Sequence, residues 1–192
     1  NGADPVLERM LAVVNDIDHF REVYFPNPTA DFYNISLVSM IDGWRLLYAD
    51  NPEKIVALTM EALDGVYVMM RNKVWAEGEI TKNGREFQTK WGKGLAIETV
   101  NDEVVHQGQK MGYALVVRRD PKKAYLRIKA FPKPEIDLTP LYERLKTEDP
   151  GATWFLHASR HMILNGSAKN PDMKPSSKTL DEILAIIHSV CA

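Results

Sequence analysis

A change in the spacing of apolar residues near Gly78 is the strongest constraint on the fold of this 192-residue chain. After Asn51-Pro52-Glu53, a typical helix start, apolar side chains recur every three to four positions as far as Trp75. They are Ile55, Leu58, Met60, Leu63, Val66, Met69, Met70 and Val74. Two interpretations stay open. One is a single helix of about 24 residues, or about 36 Å; the other is two helices that break at Asp64-Gly65.

Beyond Gly78 the pattern is typical of strands. The stretches LAIETV, YALVVRRD and AYLRIKAF predict three strands, and a tight turn at Asp120-Pro121-Lys122 joins the last two. Asn83-Gly84 predicts a further hairpin turn. Helices are predicted at residues 101–112, at 138–149 and at 180–190, so helices and strands follow one another along this half.

The fold class predicted from these patterns is α/β (α+β). Residues 1–78 are expected to be a helical segment that contains helices at about 5–17 and within ISLVSMIDGWRLLY, followed by a long connecting helix. Residues 79–192 are expected to form a domain with a mixed sheet of about five strands flanked by helices. The ISLVSMIDGWRLLY helix is apolar enough to be predicted as buried.

Composition limits the class of protein. Hydrophobic residues make up 45% of the chain and charged residues 26%, as in a folded globular protein, and the net charge of −2 offers no overall attraction to nucleic acid. Cys191 is the only cysteine, which favours a cytoplasmic setting without disulfides. The absence of a long apolar run predicts no membrane span. NGADPVLERM lacks an initiator Met, and two interpretations stay open: the chain begins partway through a longer gene product, or the remnant of a tag precedes it.

The stretch FLHASRHMILNGSAKNP, residues 155–171, concentrates the chemistry of the chain. Arg160 and His161 are candidates to contact a phosphate, because arginine offers a planar fork of donors. Asn165, Gly166 and Ser167 are predicted to donate hydrogen bonds to the phosphate. Lys169 is predicted to lie at the rim of this phosphate site. The alternative is that His161 is a core histidine and that Asn-Gly is a plain turn.

Arg127 is the second candidate, in the strand AYLRIKAF. Alternation places Tyr125, Arg127 and Lys129 on one face, where a phosphate could bind beside an aromatic ring. The alternative is that these charged side chains lie on a solvated face of the sheet and bind no ligand. This alternative is favoured more for Lys129 than for Arg127. Four cations around the hairpin turn before this strand are expected to be solvated as well: Arg118, Arg119, Lys122 and Lys123.

The order of these features resembles the DHH-associated C-terminal domain of the DHH (Asp-His-His) phosphoesterase superfamily. The matching elements are Arg127 on its strand, the helix start Ile136-Asp137-Leu138-Thr139, Ala158-Ser159-Arg160-His161 at the place of the family's GGGH motif, and Leu164-Asn165-Gly166 at its Ala-Ala-Gly. The chain departs from the family in lacking all three GGGH glycines and the Asp-His-His motif itself.

The resemblance implies a substrate-binding region of an enzyme that hydrolyses phosphodiester or phosphoanhydride bonds. The implied ligand is a phosphorylated small molecule or a short single-stranded nucleic acid. The implied Mn2+ would be held by a catalytic domain that is absent from this chain. This chain is expected to carry no catalytic residue, no metal ligand and no cofactor of its own. The alternative is a non-enzymatic module that binds a nucleotide or joins subunits, for example as a homodimer. A further alternative is a remnant metal site at Asp16, Asp18 and His19.

Overall fold

The computed structural model describes residues 2–166, 170 and 172–192, and it divides the chain into two compact units. The first unit comprises residues 1–74 and the second comprises residues 75–192. This division lies inside a helix, a few residues before the boundary predicted after residue 78.

Helices make up the regular structure of the first unit. Helix α1 spans Pro5–Asp18, α2 spans Leu37–Leu47, and α3 spans Pro52–Asn83 and continues into the second unit. Two short 3-10 helices lie at Arg21–Tyr24 and Asp31–Asn34. The predicted starts are confirmed for α1 and α3. At α1 the Asp4 carboxylate accepts a hydrogen bond from the Val6 amide at 2.8 Å. At α3 the Asn51 side chain accepts one from the Lys54 amide at 3.1 Å.

Helix α3 is continuous over 32 residues, so the interpretation as two helices is wrong. Gly65 lies on an open side of the helix, and a Cβ atom there would meet nothing within 4 Å. A single glycine costs a helix about 1 kcal/mol, and the apolar pattern on both sides of Gly65 supports one uninterrupted helix.

Helix α2 forms where it was predicted, but the prediction that it is buried is wrong. No residue of α2 is buried, and Leu46 and Leu47 are 86% and 73% exposed. Within residues 2–74, Val6 is the only buried residue that the structure describes. The sequence therefore predicted the position of α2 correctly, but its apolar composition predicted the burial of the helix incorrectly.

The second unit is built on a six-stranded mixed sheet, which confirms the predicted α+β class with one strand more than expected. The strands are β1 (Arg85–Thr89), β2 (Gly92–Glu98), β3 (Leu115–Arg119), β4 (Leu126–Ala130), β5 (Trp154–Leu156) and β6 (Met162–Asn165). Their order is β1-β2-β3-β4-β6-β5, and β2 with β3 is the one parallel pair among them. Helix α4 (Glu103–Lys110) connects that pair.

The hairpin turn predicted at Asn83-Gly84 is wrong. Asn83 ends α3, and the Gly84 amide donates to the Ile80 carbonyl at 2.9 Å, as a glycine that closes a helix does. The turn of the β1–β2 hairpin lies instead at Lys90 and Trp91, since Thr89 pairs with Gly92. Gly92 has a φ of 124°, a conformation open mainly to glycine.

Helices cover the sheet on both faces. On one face, α4 and the end of α3 pack on β2 and β3 through a cluster of Ala76, Ile80, Leu95, Ile97, Val104, Val105, Tyr113 and Val116. On the other, α5 (Thr139–Glu148) and α6 (Leu180–Cys191) pack on a larger cluster that includes Leu141, Leu145, Ile183 and Ile187. We call these the α4 face and the α5 face.

Among the described residues, no helix combines the length and the apolar character needed to cross a membrane.

Candidate functional site

Arg127 lies in the middle of β4 with its side chain on the α4 face. The burial pattern of β4 alternates, with Leu126, Ile128 and Ala130 buried on the α5 face and Arg127 and Lys129 half-buried on the other. The Arg127 guanidinium pairs with the Asp102 carboxylate at 2.7 Å, and 32% of its side chain stays exposed. A carboxylate in the chain therefore already compensates much of this charge.

Arg118 is buried, which corrects the expectation that it is solvated. It is 5% exposed; its Nε lies 2.8 Å from the Asp102 carboxylate, and its Nη1 donates to the Thr99 carbonyl at 2.9 Å. Burial lowers the pKa of the Arg118 guanidinium, partly offset by the charge of Asp102. Asp102 thus bridges two arginines of neighbouring strands and ties the start of α4 to the sheet.

Arg160 and His161 lie in the loop between β5 and β6. Arg160 has a φ of 59°, the left-handed region that favours glycine. The loop is held by hydrogen bonds from the Arg160 amide to the His157 carbonyl at 2.8 Å and from the Leu138 amide to the Arg160 carbonyl at 3.0 Å. The Arg160 side chain is 66% exposed, so its guanidinium is accessible to a ligand.

The partners of Arg160 and His161 belong to the segment that leads into α5. Arg160 lies 3.3 Å from the Asp137 carboxylate, and hydrogen bonds from Thr139, with the charge of Arg160, lower the pKa of the Asp137 carboxyl. The Nε2 atom of His161 lies 2.9 Å from the Lys133 carbonyl. His161 is half-buried, with a backbone partner for its ring.

Asn165 and Gly166 lie at the opposite end of β6. Asn165 is fully buried, and its amide nitrogen donates to the carbonyls of Thr153 and Lys174 at 2.9 and 3.0 Å. Its side-chain oxygen accepts from the Ser176 amide at 2.7 Å. The Asn165 amide is therefore fully used within the fold.

Gly166 has a φ of 84°, and a Cβ atom there would overlap the Tyr125 ring. The backbone at Gly166 thus faces a side chain of its own domain. The other two predicted residues of this stretch, Ser167 and Lys169, lie outside the described residues.

The five predicted residues that the structure describes do not gather at one point. His161 immediately precedes β6 and Gly166 immediately follows it, so these two residues are five steps apart, or about 16 Å at about 3.3 Å per residue. Arg127 lies on the α4 face, whereas Arg160 pairs with Asp137 at the start of α5. The sequence analysis predicted that these residues bind one phosphate-bearing ligand, but the length of β6 and the two faces of the sheet keep them apart.

The structure gathers further cations that the sequence analysis did not select. A cleft of about 320 Å3 lies between α4 and the end of β4 and is lined by His106, Gln109, Lys110, Lys129, Phe131 and Pro132. Lys129 had been expected on a solvated face, and the three helical residues lie some 20 positions earlier in the chain. The one signal in the sequence was the alternation that puts Lys129 beside Arg127.

Two of the three side chains proposed as a remnant metal site have other contacts. Asp16 pairs with Arg21 at 2.8 Å, and the Nδ1 atom of His19 lies 2.8 Å from the Asn15 carbonyl. Within residues 2–166, 170 and 172–192, no three His, Cys, Asp or Glu side chains group closely enough to hold a metal ion.

No model of a known protein family matches the chain, and no curated protein matches it significantly.

Proposed function

We propose that residues 75–192 bind a phosphate-bearing ligand, as the substrate-binding part of a DHH-type phosphoesterase. The ligand is a phosphorylated small molecule or a short single-stranded nucleic acid, and the bond hydrolysed is a phosphodiester or a phosphoanhydride. In this proposal Mn2+ is held by the catalytic domain that the resemblance places outside this sequence. The present chain would contribute electrostatic stabilisation of the ligand phosphate.

The conformation of the β5–β6 loop is the observation that carries this proposal. The resemblance aligns Ala158-Ser159-Arg160-His161 with a glycine-rich motif, and Arg160 adopts a backbone conformation that favours glycine. The same turn exposes the Arg160 guanidinium beside His161. A loop of this shape can present an arginine fork to a phosphate without the glycines of the family motif.

The pairing of Arg160 with Asp137 sets a condition on binding. Both side chains are largely exposed, at 66% and 44%, so the ion pair contributes little to stability and a phosphate can compete for the arginine. A phosphate dianion carries more negative charge than the Asp137 carboxylate, so it attracts the Arg160 guanidinium more strongly.

A binding titration tests the proposal on the chain as it exists. A 5′-phosphorylated dinucleotide and a short polyphosphate would be titrated without metal into the wild type, Arg160→Gln and His161→Ala. Arg144→Gln is the matched control, since Arg144 is also an exposed arginine, 50% accessible and paired with Glu148 at 2.8 Å. We expect saturable binding that Arg160→Gln weakens about tenfold, or about 1.4 kcal/mol.

Two results would overturn the proposal. The first is that neither ligand binds a folded sample. The second is that Arg144→Gln weakens binding as much as Arg160→Gln does, which would indicate nonspecific attraction. Thermal unfolding of each variant shows whether a loss of binding reflects a loss of fold.

The second candidate function is a non-enzymatic module that joins subunits, and exposed apolar side chains in residues 2–74 favour it. Leu11, Ile35 and Leu46 are 67%, 85% and 86% exposed. Apolar surface on this scale is uncommon in monomers and often marks an interface. Sedimentation over a range of protein concentrations tests this candidate, which predicts a concentration-dependent homodimer; a monomer at all concentrations would exclude self-association.

A further inference from the structure

The cleft between α4 and the end of β4 has the size and construction of a small ligand site. Its volume of about 320 Å3 lies at the lower end of the range of about 300–1,000 Å3 typical of ligand pockets. Its lining joins three cationic or titratable side chains to an apolar wall, and none of these residues belongs to the β5–β6 loop.

Hydrogen bonds fix the two walls of the cleft relative to each other. Gln109 of α4 donates from Nε2 to the Ala130 carbonyl at the end of β4, at 2.6 Å. The next residue, Phe131, donates its amide to the Ala114 carbonyl at 2.8 Å. Because helix and strand are tied at this point, the cleft is preformed and a ligand need not order it.

The cleft carries positive charge without a matching carboxylate. Among the described residues, neither Lys110 nor Lys129 has an acidic group within ion-pair distance, and His106 lies 3.7 Å from Glu103. The two carboxylates at the start of α4 have other partners: Asp102 is paired with Arg118 and Arg127, and Glu103 accepts a hydrogen bond from Gln107 at 2.6 Å. Two uncompensated ammonium groups that line one cavity favour a dianion over a singly charged ligand.

The remaining wall is aromatic and apolar. Phe131 is 37% exposed, and Pro132 follows it along the same wall. The exposed Phe131 ring can stack with a flat ring, an arrangement favoured beyond simple burial of apolar area. We propose that this cleft is a binding site for a small aromatic phosphate monoester. Lys110 and Lys129 bind the phosphate, and Phe131 contacts the ring.

This site lies on the α4 face, whereas Arg160 and His161 contact the segment that leads into α5. The inference rests on the residues of the cleft, and it does not require a ligand at the β5–β6 loop.

Phenyl phosphate is the probe, with phenol and inorganic phosphate as its separate parts. Amide chemical shifts of the 15N-labelled chain would be followed during each titration. We expect saturable shifts centred on Gln109, Lys129 and Phe131, with phenyl phosphate binding more tightly than either part. Lys110→Gln and Lys129→Gln should each weaken binding about threefold or more, and added salt should weaken it further.

Lys122→Gln is the matched control, because Lys122 is an exposed lysine in the turn before β4, at the other end of that strand. It should leave the affinity unchanged. The inference is overturned if no shifts occur at the cleft, or if Lys122→Gln weakens binding as much as Lys129→Gln does.

Arg160→Gln separates this inference from the proposed function. If phenyl phosphate binding survives Arg160→Gln and is lost in Lys110→Gln/Lys129→Gln, the cleft is the site. If it is lost in Arg160→Gln and survives the double variant, the cleft inference fails while the proposed loop site stands. The two proposals therefore have separate tests.

Discussion

At the scale of single residues, two backbone conformations connect the sequence to the fold. Gly166 and Arg160 both have positive φ, at 84° and 59°, and they lie at opposite ends of β6. Glycine adopts this conformation readily, whereas an arginine must be held in it by its surroundings. At both positions, glycine should therefore give a more stable protein than alanine.

Gly166→Ala should destabilise the protein strongly. The added Cβ meets the Tyr125 ring and the backbone conformation is unfavourable for alanine, which together cost about 2–4 kcal/mol. Gly151→Ala is the control, since a Cβ at Gly151 has nothing within 4 Å. Urea unfolding measures both variants, and equal free energies of unfolding would contradict the packing of Tyr125 on Gly166.

Arg160→Gly and Arg160→Ala should differ in stability although both remove the contact with Asp137. Alanine keeps the strain of a left-handed residue and glycine relieves it, so the glycine variant should be more stable by about 1 kcal/mol. Thermal or urea unfolding of the pair measures this difference directly. A more stable alanine variant would show that the loop does not hold Arg160 in this conformation.

At the scale of elements, the contact that most depends on tertiary structure is the bridge from Asp102 to Arg118 and Arg127. Asp102 precedes α4, and the two arginines lie on β3 and β4. Removing the carboxylate leaves Arg118 buried with one acidic neighbour, Asp120, at 3.8 Å. The bridge therefore affects the stability of both strands.

Asp102→Ala should lower the free energy of unfolding by about 1–2 kcal/mol, because it leaves a buried charge poorly paired. Glu98→Ala is a close control. Glu98 pairs with Arg119 at 2.8 Å and is as exposed as Asp102, at 46%, but its partner is less buried. We expect a loss of at most about 0.5–1 kcal/mol for Glu98→Ala. Similar losses in the two variants would show that the burial of Arg118 does not matter.

The start of α6 should give the protein a pH-dependent stability. Glu182 and Thr179 form a capping box, and hydrogen bonds from the Thr179 backbone and hydroxyl lower the pKa of Glu182. A carboxyl with a lowered folded-state pKa adds stability above its unfolded pKa of about 4.3. That stability is lost as the pH falls through the folded-state pKa.

The Tm should therefore fall as the pH is lowered from about 6 to about 3, and it should fall less steeply in Glu182→Gln. Glu61→Gln, at an exposed position of α3 without a capping role, should follow the wild type. Calorimetry over this pH range measures all three proteins. Parallel curves for the wild type and Glu182→Gln would show that the capping box does not contribute.

At the scale of the whole molecule, the two units differ in how much they bury. Residues 75–192 enclose two hydrophobic clusters, whereas Val6 is the only buried residue described within 2–74. Local stability follows buried apolar contacts, so the two units should open with different free energies.

Native-state hydrogen exchange tests this difference. Amides of β3 and β4 should exchange about a hundredfold or more slowly than amides of α1 and α2. The measurement should be repeated at several protein concentrations. Equal protection in both units at low concentration would contradict the exposure seen in residues 2–74, and protection that rises with concentration would point to self-association.

The sequence by itself determined the class of the fold and the positions of most helices and strands. Helical spacing, the helix start at Asn51 and the alternation along β4 depend on neighbours a few residues away, so they can be read without a structure. The same local rules misplaced the hairpin turn at Asn83-Gly84, because Asn-Gly also suits the end of a helix.

Tertiary structure alone decided burial and the candidate sites. Arg118 was expected to be solvated and is buried, and the groups that pair with it include Asp102 and Thr99, which are distant from it in sequence. No residue of the apolar helix α2 is buried, although its composition predicted burial. The cleft of Lys110 and Lys129 also forms between elements distant in sequence. Pairing between distant residues determines which charges are neutralised and which remain available, and local sequence patterns do not contain that information.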